Sequence, residues 1–350
     1  MTSSDLTGSD LTGSGLTGSD LTGRPGAGPQ PAAAARVLDR LPPASYFLVS
    51  AIFHYLGPSF AVLLFAHVSV LGVAWLRIAS AAVVFAAWRR PWRLLRALTP
   101  GQRRELLGVL VGLGVVLAAM NSLFYLAIDR LPLATVGAIE FLGTVVLAAA
   151  GARTRRNLLA LALAVGGVAT LTAIRLAGEP AGFAFAFANC LGFMLYVLLG
   201  HRIANRPAGP ARQAGPAGTA APAVSRGPLS GIDQLGAAML VAAVVATPVG
   251  LAGALPAFTH PGWLLWGVGV GVCSSVIPYV TDQLAMARLP RATFALMLAL
   301  LPMFATLIGA VVLGQVPTVR DLAGIALVVA GVALHKSPGD RRQAEEKAAP

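Results

Sequence analysis

From Ala44 to His335 the chain is a series of apolar stretches, each near twenty residues long, separated by short polar interruptions. A helix rises 1.5 Å per residue, so about twenty residues cross a hydrocarbon core about 30 Å thick. Ten stretches of this kind fall at 44–66, 68–88, 105–127, 131–150, 157–174, 181–200, 232–252, 262–286, 291–313 and 319–335. They predict helices rather than strands, because in lipid each backbone polar group is satisfied within its own segment. The first two stretches nearly touch, which predicts a tight hairpin at His67.

Two short passages are written twice. Leu126–Thr135 (LAIDRLPLAT) returns as Leu284–Thr293 (LAMARLPRAT), with seven of ten positions identical. Leu161–Leu171 (LALAVGGVATL) returns as Ile325–His335 (IALVVAGVALH), with six of eleven identical. The two offsets, 158 and 164 residues, are close, and self-similarity of this kind marks a duplicated unit. The copies divide the chain into five-stretch halves, 44–175 and 181–335. Residues 1–43 stand apart: Ser4–Gly23 repeats the unit SDLTG with one SGLTG variant, and no basic segment leads into an apolar one as in a signal peptide. Such a composition cannot bury enough surface to fold, so a disordered cytoplasmic tail is expected. Residues 203–230, dense in Pro, Gly and Ala, are expected to be a flexible cytoplasmic loop, and 336–350 a charged cytoplasmic tail.

Composition agrees with a membrane protein: 56% of residues are hydrophobic and 11% charged, against roughly 25% charged in soluble domains. The formal charge of +12 raises the question of nucleic acid. The distribution of the charge excludes that partner. With the N-terminus placed in the cytoplasm, inward segments carry 22 of the 26 Lys and Arg, outward loops carry Arg130, Arg175 and Arg320, and Arg77 lies inside a stretch. This is the asymmetry of a multi-pass membrane protein with both termini cytoplasmic. It also fixes the relation of the halves. Five spans separate equivalent points, and an odd number reverses direction. The expected fold is an all-α polytopic membrane protein of ten transmembrane helices arranged as two inverted five-helix repeats, a plan suited to alternating access.

Charges within spans cost about 2.5–3.5 kcal/mol on insertion scales. Three stand there: Arg77 near the middle of the second stretch, Glu140 near the middle of the fourth, and Asp282 a little over one turn from the end of the eighth. Arg77 and Glu140 share depth and half and have opposite signs, so an ion pair would offset much of their cost. Either they form a fixed latch, or Glu140 titrates or meets substrate while Arg77 tunes it. Asp282 either belongs to the same site or reaches toward cytoplasmic water. Polar residues accompany them: His54, Tyr55, Asn121, Tyr125, Asn189, Tyr196, Tyr279 and Gln283. Asn121 and Tyr125 share a helix face, as do Tyr279 and Gln283. Each either bonds a neighbouring helix or lines a site. Pro58, Pro248, Pro278 and Pro302 fall inside spans and can free carbonyls toward a cavity. Pro278, beside Tyr279, and Pro302 are the gating candidates. Cys190 and Cys273 lie in apolar runs and are expected to be buried thiols, and the five His show no metal-ligand spacing.

These residues resemble the EamA-type members of the drug/metabolite transporter superfamily, among them the inner-membrane threonine/homoserine exporters. The resemblance spans about 45–335. It rests on Leu76-Arg77, Pro91-Trp92-Arg93-Leu94, Met120-Asn121 with Tyr125-Leu126, Leu131-Pro132-Leu133, and Glu140-Phe141 with Gly143. The second half adds Tyr196 with Gly200 and Arg202, Ile277-Pro278-Tyr279, Arg288-Leu289-Pro290 and Thr293-Phe294. The resemblance implies ten helices around a central cavity and export of small amino acids or related metabolites, with no cofactor and a proton gradient as the driving force. The chain departs from the pattern where Thr144 follows Gly143, where Leu301 precedes Pro302 and where Gln315 stands in place of an acid. Asp282 keeps an acidic position with a shorter side chain. The same fold could carry drugs or other metabolites. A membrane-embedded enzyme is disfavoured by the lack of a Walker loop, zinc spacing or nucleophile–base pair. A receptor would not need duplicated halves.

Overall fold

Prolines open four of the helices, at Pro43, Pro100, Pro180 and Pro261, where a missing N–H costs nothing because the first turn has no acceptor for it. The computed structural model describes residues 43–92, 100–150, 154–172, 179–204, 231–288 and 301–334. The helices are α1 (Pro43–Leu64), α2 (Val70–Arg89), α3 (Pro100–Ile128), α4 (Leu133–Ala150), α5 (Arg155–Thr172), α6 (Pro180–Ala204), α7 (Gly231–Thr259) and α8 (Pro261–Gly271). A π turn, Val272–Val276, joins α8 to α9 (Ile277–Arg288), and α10 (Leu301–Leu313) and α11 (Val319–Leu334) follow. Among the described residues there is no strand. The expected low-complexity tail up to residue 42, residues 205–230 of the long loop, the tail from 335 and the Leu289–Thr293 part of the second repeated loop lie outside the described residues.

Six helices among the described residues are long and apolar enough to cross a membrane: Ser45–Leu64, Val70–Arg89, Arg103–Ile128, Pro180–Leu199, Gly231–Thr259 and Pro261–Ala285. Shorter apolar helices cover Leu133–Gly143, Leu158–Gly167 and Leu301–Leu313. Their outward faces are as apolar as their inward ones. Val83, Val244, Leu265 and Val311 are exposed, while Val73, Ala242, Val270 and Ile308 on the same helices are buried. A helix apolar all round is at home in lipid.

The expected hairpin at His67 is present. Residues 65–69 join α1 to α2, and Ser69 Oγ accepts from Gly72 N at 3.2 Å to cap α2. The His67 ring stacks on Trp263 at 4.8 Å, and His260 stacks on the same indole at 3.9 Å. The turn between α1 and α2 therefore meets the turn between α7 and α8. At the other end of α2, Arg89 Nε donates to Asp233 Oδ1 at 2.7 Å, at the start of α7. The two helices run antiparallel.

Glycine lets these helices touch backbone to backbone. A Cβ on Gly72 would strike the Gly253 carbonyl, and one on Gly250 would sit 2.5 Å from Trp75 Cβ. Close approach of this kind holds helices together where no hydrophobic drive exists between them. The repeated α5 and α11 sequences use it too, since a Cβ on Gly167 would meet Val328 N at 2.9 Å. Around the middle of the molecule α1 packs on α8, the π turn, α9 and α10, α3 packs on α6, and α4 packs on α6 and α10.

Candidate functional site

The π turn begins the site. Ile277 N–H donates to Val272 O, one residue further back than in an α-helix. Pro278 has no N–H for Ser274 O, its α-helical partner four residues earlier. The turn thus turns loose polar backbone toward its neighbours, as π turns at functional positions often do. Arg77 of α2 takes it up. Its Nη2 donates to Ser274 O at 3.0 Å and its Nε to Ser275 Oγ at 2.9 Å. The guanidinium also lies 5.3 Å from the centre of the Tyr125 ring, a cation–π distance. Two glycines make room: a Cβ on Gly271 would meet Arg77 O at 2.7 Å, and one on Gly57 of α1 would meet Ser274 N at 2.8 Å.

Glu140 is held elsewhere. Asn189 Nδ2 on α6 donates to Glu140 Oε1 at 3.1 Å, and His54 Nε2 on α1 stands 3.7 Å from Oε2. The sequence-level expectation of an Arg77–Glu140 ion pair is thereby corrected. Each charge is 4% exposed, and each has found its own dipoles: Arg77 the carbonyl and hydroxyl of the π turn, Glu140 an amide and an imidazole. Tyr279 lies within electrostatic range of both Arg77 and Glu140, so the two clusters are neighbours.

The remaining site residues gather around these clusters. Asn121 donates to Leu117 O at 2.7 Å within α3, and its side chain lies toward the Tyr279 hydroxyl. The Tyr125 hydroxyl faces Ser274 and Arg77. Neither tyrosine hydroxyl completes a hydrogen bond among the described residues. Tyr196 on α6 lies 5.8 Å, ring to ring, from Tyr279. Asp282 is half-buried beside Ser50 of α1, and Ser50 Oγ donates to Pro278 O at 3.4 Å. Asp282 therefore faces α1 within the bundle, on the side of the site where His54 lies. Pro302 is buried in α10, with Thr306 Oγ1 donating to its carbonyl at 2.9 Å. Both cysteines are free, Cys190 buried against the Glu140 backbone and Cys273 only half-buried.

Sequence reasoning missed Ser274, Ser275 and Ser50. A signal existed for the first two: paired serines three and four residues before a proline inside a span. Gln315, conspicuous as a missing acid, has a visible task. Its Oε1 accepts from Leu133 N at 3.2 Å, satisfying one of the N–H groups orphaned at the start of α4.

The comparisons agree with this architecture. A crystal structure of a protein matches 83% of this chain and 96% of its own, with a TM-score of 0.51 and 19% sequence identity. That likeness concerns the fold alone. The chain is similar to the threonine/homoserine exporter RhtA of Escherichia coli strain K12, 30% identical over 280 residues, covering 78% of this chain and 84% of the relative. It has the same similarity to the threonine/homoserine exporter RhtA of Salmonella typhimurium strain LT2. The EamA-like transporter family pattern matches residues 214–335. Apolar helices, charges buried at their centre and identity sustained over most of a relative's length lead to one conclusion: this chain belongs to the EamA-like transporter family.

Proposed function

We propose that the protein is a secondary active transporter that exports small amino acids of the threonine/homoserine kind, or related metabolites, across the bacterial inner membrane. It works by alternating access between two inverted five-helix repeats, with both termini cytoplasmic. A proton gradient drives it and no cofactor takes part. The observation that carries the reading is Glu140, a carboxylate buried in the middle of an apolar bundle beside an ionisable His54. Such a residue in a membrane protein is expensive and is a functional site by default.

Helix pairing supports the inverted repeats. Let α8, the π turn and α9 count as one span. Exchanging the halves then turns the α3–α6 contact into the contact of that span with α1, and turns α4–α6 into α10–α1. The contacts α2–α7, α4–α10 and α5–α11 map onto themselves. In this reading Glu140 and Asp282 exchange protons, Tyr125, Tyr196, Tyr279 and Asn121 line the cargo's path, and Arg77 holds the π turn. Pro278 and Pro302 are the points where helices bend. The domain boundaries follow the repeats, 44–175 and 181–335.

The test is efflux of radiolabelled threonine and homoserine from proteoliposomes, with and without an inward-directed proton gradient. The wild type is expected to export faster with the gradient, and Glu140→Gln and Asp282→Asn to lose that acceleration. Equal rates in all three proteins would overturn the coupling. A wild type that moves neither amino acid would overturn the cargo.

A further inference from the structure

Three buried polar atoms at the junction of α1, α4 and α6 have no hydrogen-bond partner among the described residues: Glu140 Oε2, Asn189 Oδ1 and the Tyr55 hydroxyl. Asn189 and Tyr55 are fully buried, at 0% exposure. Burying such groups unpaired costs about 1–3 kcal/mol each, and native interiors rarely leave them so. Their arrangement follows from the hydrogen bond already made. Asn189 has spent an N–H on Glu140 Oε1, so the pair has Oδ1 and Oε2 left over, and both are acceptors. The Tyr55 ring comes from α1 and rests on Gly137, where a Cβ would fall 2.8 Å from the hydroxyl. Gly137 is one turn before Glu140 and shares its helix face. The hydroxyl is within the electrostatic reach of the carboxylate. The nearest basic nitrogen, His54 Nε2, is 3.7 Å from Oε2, beyond hydrogen-bond distance.

We infer that Glu140, Asn189 and Tyr55 form a subsite for a primary ammonium group. A primary ammonium carries three N–H donors and one positive charge. The cluster offers three acceptors, one of them the oxygen of a carboxylate. A proton on Glu140 adds one donor, enough to join Oε2 to one of the other two atoms, and it removes the negative charge that an ammonium would meet; the Tyr55 hydroxyl can donate as well as accept. Hard divalent cations such as calcium and magnesium call for about six oxygens or more, twice what the cluster offers. The inference rests on the proposed amino-acid cargo for its biological ligand, since the ammonium would be the α-amino group, but its chemistry stands apart from that cargo.

The experiment measures binding by calorimetry to the full chain in lipid nanodiscs. Four probes are compared: threonine, N-acetylthreonine, 2,3-dihydroxybutyrate, which has a hydroxyl in place of the amine, and 1-amino-2-propanol, which has the amine without the carboxylate. Threonine and 1-amino-2-propanol are expected to bind. The two probes lacking an ammonium should bind about tenfold to a hundredfold more weakly, the loss expected for a charge-assisted hydrogen bond. Glu140→Gln should remove that discrimination, and Tyr55→Phe, the milder change, should reduce it. Equal binding of threonine and N-acetylthreonine by the wild type overturns the subsite without recourse to any variant. So does a wild type that binds neither amine, or sodium ion alone displacing 1-amino-2-propanol competitively. Binding of 1-amino-2-propanol that depends on Glu140, with no binding of threonine, upholds the subsite and overturns the amino-acid cargo.

Discussion

Gly57 offers a test of how closely α1 must approach the π turn. A Cβ placed there falls 2.8 Å from Ser274 N, 3.0 Å from its Cα and closer still to its Oγ. Two of these atoms are backbone and cannot rotate away. Gly57→Ala must therefore push α1 off the turn, and overpacking of this kind costs about 1–3 kcal/mol. Alanine recovers about 0.5–1 kcal/mol of helix stability relative to glycine, which partly offsets the clash. A matched control separates the two effects. Gly108 on α3 has nothing within 4 Å of its would-be Cβ, so Gly108→Ala should collect the helix gain alone. Unfolding of the detergent-purified proteins should then place Gly57→Ala about 1–3 kcal/mol below Gly108→Ala, the steric cost by itself. Gly57→Ala should also slow efflux, because Ser274 carries the carbonyl that Arg77 grips. Equal stability of the two variants would refute the close contact between α1 and the turn.

Further outcomes concern Arg77 and Gln315. Arg77→Lys keeps the charge but cannot reach Ser275 Oγ and Ser274 O together, so it should lose about 1.5–3 kcal/mol, one charge-assisted hydrogen bond. Combining it with Ser275→Ala should cost less than the sum of the singles, and strict additivity in an unfolding cycle would deny the contact. Gln315→Ala strips the cap from Leu133 N and should destabilise the protein by about 0.5–2 kcal/mol in the same assay. Gln315→Glu should be tolerated or stabilising, since a carboxylate near a helix start is favoured by the dipole.

Much of the fold was legible along the chain. Apolar length is a local quantity, so the stretch at 68–88 became α2, Val70–Arg89, and 181–200 became most of α6. The stretch at 262–286 became α8, the π turn and α9 in unbroken succession. The π turn itself was not legible, because its register depends on what donates to the freed carbonyl, and that donor, Arg77, lies 197 residues away from Ser274.

Sequence alone determined which residues are costly. Arg77, Glu140 and Asp282 stood out because a charge in hydrocarbon carries a penalty wherever its partner is. Tertiary structure decided who relieves the cost. Depth and sign suggested that Arg77 and Glu140 would pair, but a pairing also needs the right azimuth on the right neighbouring helix. Those coordinates belong to the packing of α1, α2, α6 and the π turn, and no one-dimensional pattern contains them. The packing gave Arg77 to two serines and Glu140 to an asparagine and a histidine. With His54 at 3.7 Å, that division leaves one carboxylate oxygen without a hydrogen bond, which is where the inferred cationic ligand would bind.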